Sequence, residues 1–406
     1  MNQKFFRKVL KSGMTVVLEK RDSPAVSVAF AVRYGGINES SQEKGISHFI
    51  EHMLYKGTKK RNSRQIAIEI EKKGGVLNGF TDETVTAYWC KMPKNHVDVA
   101  LDVLGDLVRN PVFKEEDMGK ERNVIFEEIK MYKDSPSRHV FNEIHKSLFK
   151  EPFGIPLIGT EKTLISLNRE KLVKKFKEVY RPENFILCAV GDIDFEKLVT
   201  FAEEKFSPDN FEGKSKKIII PKIISKNEIK TEKRKGVDQA NLIFAYHVPP
   251  SKSKKNFAAR VLSVLMAGGM SSRLFHEIRE KRNLAYAIKG GSDISKTFAY
   301  NQVYVGTKKE NILQVKKILL EEFRKVSKDL DKKELDQVKE EILGNMKISM
   351  EDSQTQMAYL LHYEVEGNAE DFYKIEENIK AVKLEDVKKL AAEAAKNHSI
   401  FILQPA

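Results

Sequence analysis

Apolar positions recur along the chain with two periods, one of two residues and one of three to four, and these separate strands from helices. The run MNQKFFRKVLKSGMTVVLEK reads as two short strands joined at Ser12-Gly13, and Ala25–Arg33 reads as a third. A helix is expected around Gly45–Lys56 and another over Arg64–Lys73, ended by Gly74-Gly75. The stretch VLNGFTDETVTAYWCKM forms two alternating runs about Thr81-Asp82-Glu83, the pattern of a hairpin. Helical periodicity follows at His96–Val108, Glu115–Tyr132, Ser137–Phe149 and Arg169–Tyr180. A strand at Phe185–Val190 and a helix at Phe195–Lys205 close the first half.

The pattern then breaks. The stretch from Phe206 to Gly236 is rich in lysine and carries two prolines, and residues 210–235 within it are expected to form a linker that includes an edge strand. Beyond it the order of elements repeats. The strand NLIFAYHV precedes helices at Lys254–Met266 and Ser272–Lys281 and a hairpin over Ala285–Val305. Helices at Ile312–Val326, Lys333–Ser349, Thr355–Glu366 and Glu385–Ala395 lead to a last strand, SIFILQ. The order predicts an α+β protein of two structurally similar domains, 1–209 and 236–406. Each would be a mostly antiparallel sheet with helices packed on one face.

Composition narrows the reading. A chain of 406 residues is too long for one ordinary core. No apolar run approaches the ~20 residues that span a bilayer, and basic residues interrupt the N-terminal apolar ones, unlike a signal peptide. A cytoplasmic protein without membrane contact is expected. The net charge of +13 arises from lysines spread among glutamates, as in KKELDQVKEE. There is no basic stripe interleaved with aromatics of the kind that holds single-stranded nucleic acid, so no nucleic-acid partner is expected. Cys90 and Cys188 lie in apolar strands and are expected to be buried free thiols.

Chemistry concentrates in GISHFIEHMLYKGT, from Gly45. His48 and His52 stand four apart, on one helical face, with Glu51 beside the second. Two imidazoles presented together suit zinc, and a catalytic zinc takes three protein ligands and leaves one position open. The pattern H-x-x-E-H is the inverse of H-E-x-x-H and supports the same chemistry, with the glutamate as base. A third ligand must come from elsewhere. In GKERNVIFEEIKMY, Glu121, Ile125 and Glu128 share a helical face, whereas Glu127 is turned about 100° from Glu128. Either Glu121 or Glu128 can complete the set on this ground.

The chain resembles the pitrilysin-type zinc peptidases, the short two-domain kind similar to the mitochondrial processing peptidase subunits. The resemblance runs from Arg7 to about Pro405 and rests on Gly45–Thr58, including Lys56-Gly57-Thr58. It implies a zinc ion on His48, His52 and Glu128, the family's third ligand lying about 76 positions after the second histidine. It also implies Glu51 as general base and Glu121 as a support behind the ligands. Asn78-Gly79 matches the family's Asn-Ala pair on a strand edge that binds substrate backbone, with glycine in place of alanine. FHEIREKRNLAYAI resembles the segment holding an Arg–Tyr pair seven apart, here Arg279 and Tyr286, with roles in substrate binding and catalysis. His276-Glu277 is no second metal motif, since Glu280 stands where the histidine would be.

A half-length chain holding both features implies a homodimer with active sites shared between subunits, each an enclosed chamber for peptides or unfolded segments. The expected activity is zinc-dependent endopeptidase. The rivals are a non-catalytic peptide-binding or scaffold subunit of the same fold, and a structural zinc site, which would have four protein ligands rather than three.

Overall fold

The computed structural model describes residues 4–211 and 217–406. Residues 1–3 and 212–216, in the expected first domain and linker, lie outside the described residues. The strands are β1 Lys4–Val9, β2 Thr15–Lys20, β3 Ala25–Val32, β4 Val76–Thr81, β5 Thr86–Pro93, β6 Phe185–Gly191, β7 Ile229–Arg234, β8 Ala240–His247, β9 Ala285–Ile294, β10 Ala299–Thr307 and β11 Ser399–Pro405. The helices of the first half are α1 Ile46–Leu54, α2 Ser63–Glu71, α3 Val97–Arg109, α4 Glu115–Asp134, α5 Pro136–Leu148, α6 Glu161–Ser166, α7 Arg169–Val179 and α8 Phe195–Lys205. Those of the second are α9 Asn256–Ala267, α10 Ile312–Asp329, α11 Lys332–Ser349, α12 Ser353–Glu366, α13 Ile375–Lys380 and α14 Leu384–Lys396. No helix among the described residues is long and apolar enough to cross a membrane.

Two α+β units result, each with its own sheet. The first sheet has the order β1-β2-β6-β3-β5-β4 and the second β7-β11-β8-β10-β9. Pairing is antiparallel except for β2 with β6 and β11 with β7. Strands β3, β5 and β6 are buried along nearly their whole length, as their continuous apolar runs require of central strands. Strand β4 closes one side of the first sheet with an open edge.

The units do not follow chain order. The first comprises residues 1–129, 156–222 and 349–372; the second comprises 130–155, 223–348 and 373–406. The division into 1–209, 210–235 and 236–406 was drawn along the sequence, whereas packing exchanges one helix in each direction. In the first unit, Phe30 stacks on Phe206 on one face of the sheet. On the opposite face, where β3 offers Ser27, Ala29 and Ala31, helix α12 lies against the strands. Ser27 Oγ meets Ser353 Oγ at 2.9 Å, and the Cys188 thiol faces the Met357 carbonyl. In the second unit, α5 packs on β8 and β11, with His139 against the ring of Phe401. Small side chains on β3 leave room for a helix backbone, which is why this face takes a helix of its own. Both cysteines are free and buried.

Glu364 ties α12 to its sheet. Its carboxylate, fully buried, accepts from Arg7 Nε at 2.8 Å, from Arg33 at 2.7 Å and from the Ala369 N–H at 3.1 Å. Removing the carboxylate strands two partly buried guanidinium groups, an effect of about 2–4 kcal/mol. Urea denaturation of Glu364→Ala is expected to read that loss; an unchanged midpoint would contradict it.

Candidate metal centre

Helix α1 is nine residues long, too short to persist alone in water. Packing holds it. Ile46, Phe49, Ile50, Met53 and Leu54 are buried, and each such side chain contributes about 1.5–3 kcal/mol. The face they leave free carries His48 and His52. The helix begins at Gly45, whose φ of +95° suits glycine, and where a Cβ would stand 2.7 Å from the Ile158 carbonyl oxygen. Glu39, fully buried, caps the first turn: it accepts from the N–H groups of Gly45 at 2.9 Å and Ser47 at 2.8 Å, and from Ser47 Oγ at 2.6 Å. Sequence reasoning missed Glu39; its signal was a carboxylate just ahead of the helix start.

Helix α4 brings its acidic face to this site. His48 Nε2 lies 3.6 Å and His52 Nε2 3.7 Å from Glu128 Oε2. Two ligands of one tetrahedral zinc, each at 2.0–2.1 Å, stand about 3.4 Å apart, so the three side chains suit a single ion. Among the described residues they are the one cluster with donor atoms this close. Glu121, the other candidate from spacing alone, sits behind His52: its Oε2 lies 3.2 Å from His52 Nδ1, and its Oε1 accepts from Lys56 Nζ at 2.6 Å. A carboxylate on the far nitrogen fixes a ligating imidazole's orientation. Lys56, quoted in the motif without a role, orients that carboxylate. Ile125 between them is fully buried, and Glu127 is exposed.

Burial and the neighbouring His52 push the His48 imidazole down to about 4. Burial also works against a charge on His52, but hydrogen bonds to Glu121 and Glu128 outweigh it and push that ring up to about 9. Below about pH 9 a metal must therefore displace one proton, from His52 alone until His48 titrates. Apparent zinc affinity is expected to rise about tenfold per pH unit between about pH 5 and 8 and to level off above about 9. Chelator-competition titrations across this range check it; a flat profile would contradict it.

Glu51 stands one residue off the ligand line. Burial raises its pKa, partly opposed by Thr81, whose Oγ1 donates to Glu51 Oε2 at 2.6 Å. Thr81 was not singled out by sequence, although alternation puts it on the same face of β4 as Gly79. Asn78 is exposed on that edge strand, and its Oδ1 accepts from the Gly79 N–H at 2.8 Å.

Arg279 and Tyr286 belong to the second unit and meet each other there. The expected helix Ser272–Lys281 contains a single π-helical turn, Phe275–Glu280, a local irregularity frequent at functional sites. The turn sets the Arg279 guanidinium 4.9 Å from the Phe275 ring centre, and the same group donates to the Tyr286 carbonyl at 2.8 Å. Tyr286 is half exposed. Its ring lies over Gly306 on β10, where a Cβ would come within 2.3 Å of Tyr286 Cζ. Gly306 was not foreseen.

Residues 15–161, which contain His48, Glu51, His52, Glu121 and Glu128, match the family described as insulinase (peptidase family M16). Residues 166–342 match the peptidase M16 inactive domain. A protein of Rickettsia felis named as an uncharacterised zinc protease is 31% identical over 86% of this chain and 85% of its own length. One of Bacillus subtilis, similarly named, is 29% identical over 98% of both. The crystal structure of a protease from Helicobacter pylori shares the fold, with a TM-score of 0.92 at 22% identity over 99% of this chain and all of its own. An M16-like peptidase from Alicyclobacillus acidocaldarius gives 0.86 at 19% identity, covering 100% of this chain and 99% of that one. Matched along both halves and nearly a third identical to such a relative over most of its length, the chain belongs to the insulinase family of peptidases, M16, in its short pitrilysin-type form.

Proposed function

We propose that the protein is a zinc-dependent endopeptidase acting on peptides or unfolded segments. The observation that carries this is the convergence of His48, His52 and Glu128, with the Glu51 carboxylate alongside, near the open edge of β4. When bound, zinc supplies Lewis acidity and lowers the pKa of its water toward ~7. Glu51 accepts a proton from the attacking water and passes it to the leaving amine; its raised pKa favours that exchange near neutrality. Glu121 and Lys56 keep His52 oriented. The peptide lies as an added strand along β4 at Asn78 and Gly79, so main-chain bonds give affinity with little demand on sequence.

Arg279 holds a substrate carbonyl, and the Tyr286 hydroxyl donates to the scissile carbonyl oxygen as it gains charge. These two residues serve the site of a partner copy in a homodimer that encloses the substrate. Mixing Glu51→Gln with Tyr286→Phe tests this arrangement. Random exchange leaves one intact site in half of the dimers, so activity is expected to recover to about a quarter of wild type. No recovery despite proven exchange would exclude shared sites.

The peptidase reading itself is tested with several unstructured peptides and the zinc-loaded protein. Cleavage that stops on chelation supports it. Zinc bound without turnover of any peptide would favour the peptide-binding subunit instead.

A further inference from the structure

Beneath β4, three tyrosines lie in a layer. Tyr88 and Tyr180 share a hydrogen bond between their hydroxyls at 2.7 Å. The Tyr55 ring packs 5.8 Å from that of Tyr88, but its hydroxyl, fully buried, has no hydrogen-bond partner among the described residues. A buried donor without an acceptor is costly, and one in a native structure calls for an explanation. Phenylalanine would pack the same ring without this burden.

The surroundings of that hydroxyl are specific. Tyr55 follows Glu51 by one helical turn, on the same face of the chain as it leaves α1. Opposite them is Gly79. A Cβ built there would stand 2.5 Å from Tyr55 Oη and 3.2 Å from Glu51 Oε1. Both oxygens thus border the space that the missing side chain leaves open. Thr81 already holds Glu51 Oε2, so Oε1 is the oxygen turned to this gap. At position 79 an alanine methyl and the Tyr55 hydroxyl would claim the same place.

We propose that Tyr55 is a positioning residue for Glu51. Its hydroxyl donates to Glu51 Oε1 through one water, in the gap left by Gly79. With Thr81 on the other oxygen, the carboxylate is held from both sides, beneath the strand edge where the peptide lies. The proposal rests on the peptidase reading, and it adds a residue and a pairing to it.

The test compares four zinc-loaded proteins: wild type, Tyr55→Phe, Gly79→Ala and the double variant. Each is assayed for kcat and KM on one peptide, and each is melted. Tyr55→Phe is expected to lower kcat about tenfold with KM within about twofold. Gly79→Ala is expected to lower kcat at least as far, and to lower Tm, because its methyl displaces the hydroxyl. The double variant is expected to be no slower than Tyr55→Phe alone, and to regain only part of the Tm lost in Gly79→Ala, since the methyl still meets the Ala87 carbonyl oxygen at 2.9 Å. A purely structural tyrosine would move Tm and leave kcat alone. Wild-type kcat in Tyr55→Phe, or losses that multiply in the double variant, would overturn the proposal while leaving the peptidase reading intact. A wild type without turnover would overturn both, and the melting cycle would then show whether Tyr55 and Gly79 are in contact at all.

Discussion

Replacing Glu51 with glutamine is expected to reduce kcat by about 10²–10⁴-fold while zinc stays bound at the wild-type ratio. The substitution keeps size and the ability to meet Thr81 but removes the basic oxygen. Glu51 is not among the three clustered ligands, so the metal has no reason to leave. Thr81 Oγ1 can still donate to the amide oxygen, so helix and hairpin should keep their spacing. Rate and metal content are thereby separated in one variant. Zinc lost together with activity would mean that Glu51 is itself a ligand, and unchanged turnover would mean that the proton goes elsewhere.

The second large effect is on the metal. Glu128→Ala removes one of the three proposed ligands and is expected to weaken zinc by more than about 100-fold. Glu121→Gln, which disturbs only the orientation of His52, is expected to cost about 10–100-fold. The order of the two matters more than either size. From spacing alone Glu121 and Glu128 were interchangeable, being on one face of α4. The structure separates them: Glu128 faces both imidazole Nε2 atoms, and Glu121 is engaged by His52 Nδ1 and Lys56. Equilibrium zinc titration of both variants reads the difference. A stronger loss in Glu121→Gln would reverse the assignment.

These examples mark what local pattern conveys. Spacing of i and i+4 on a helix is a local matter, so His48 and His52 were legible as a pair and Glu51 as their neighbour. The hairpin was legible for the same reason, as two alternating runs about one turn, although β5 is buried along nearly its whole length rather than on one face. The bounds of α1 through α4 differ from the periodicity by a few residues at most. What local pattern does not carry is which distant side chain arrives. Glu39 reaches only to Gly45 and Ser47 nearby and its signal was local, whereas Thr81 on Glu51 and Lys56 on Glu121 depend on packing between elements far apart in the chain. The exchange of α5 and α12 escaped for the same reason: periodicity shows that a helix has an apolar face, not which sheet it covers. Ser27, Ala29 and Ala31 carried a trace of it, as small residues in an otherwise bulky strand. The six-residue helices α6 and α13 are too short to establish a period. The π-helical turn before Arg279 is hidden because its sequence is compatible with an ordinary helix.

The central claim is that the metal held by His48, His52 and Glu128 supports peptide hydrolysis. The most direct measurement strips the protein with a chelator, returns zinc in steps, and follows turnover of an unstructured peptide against zinc bound per chain. The account predicts no turnover in the stripped protein and a linear rise that saturates at one zinc per chain. Turnover that persists without metal, or zinc that binds at one per chain with no turnover at any loading, would contradict it.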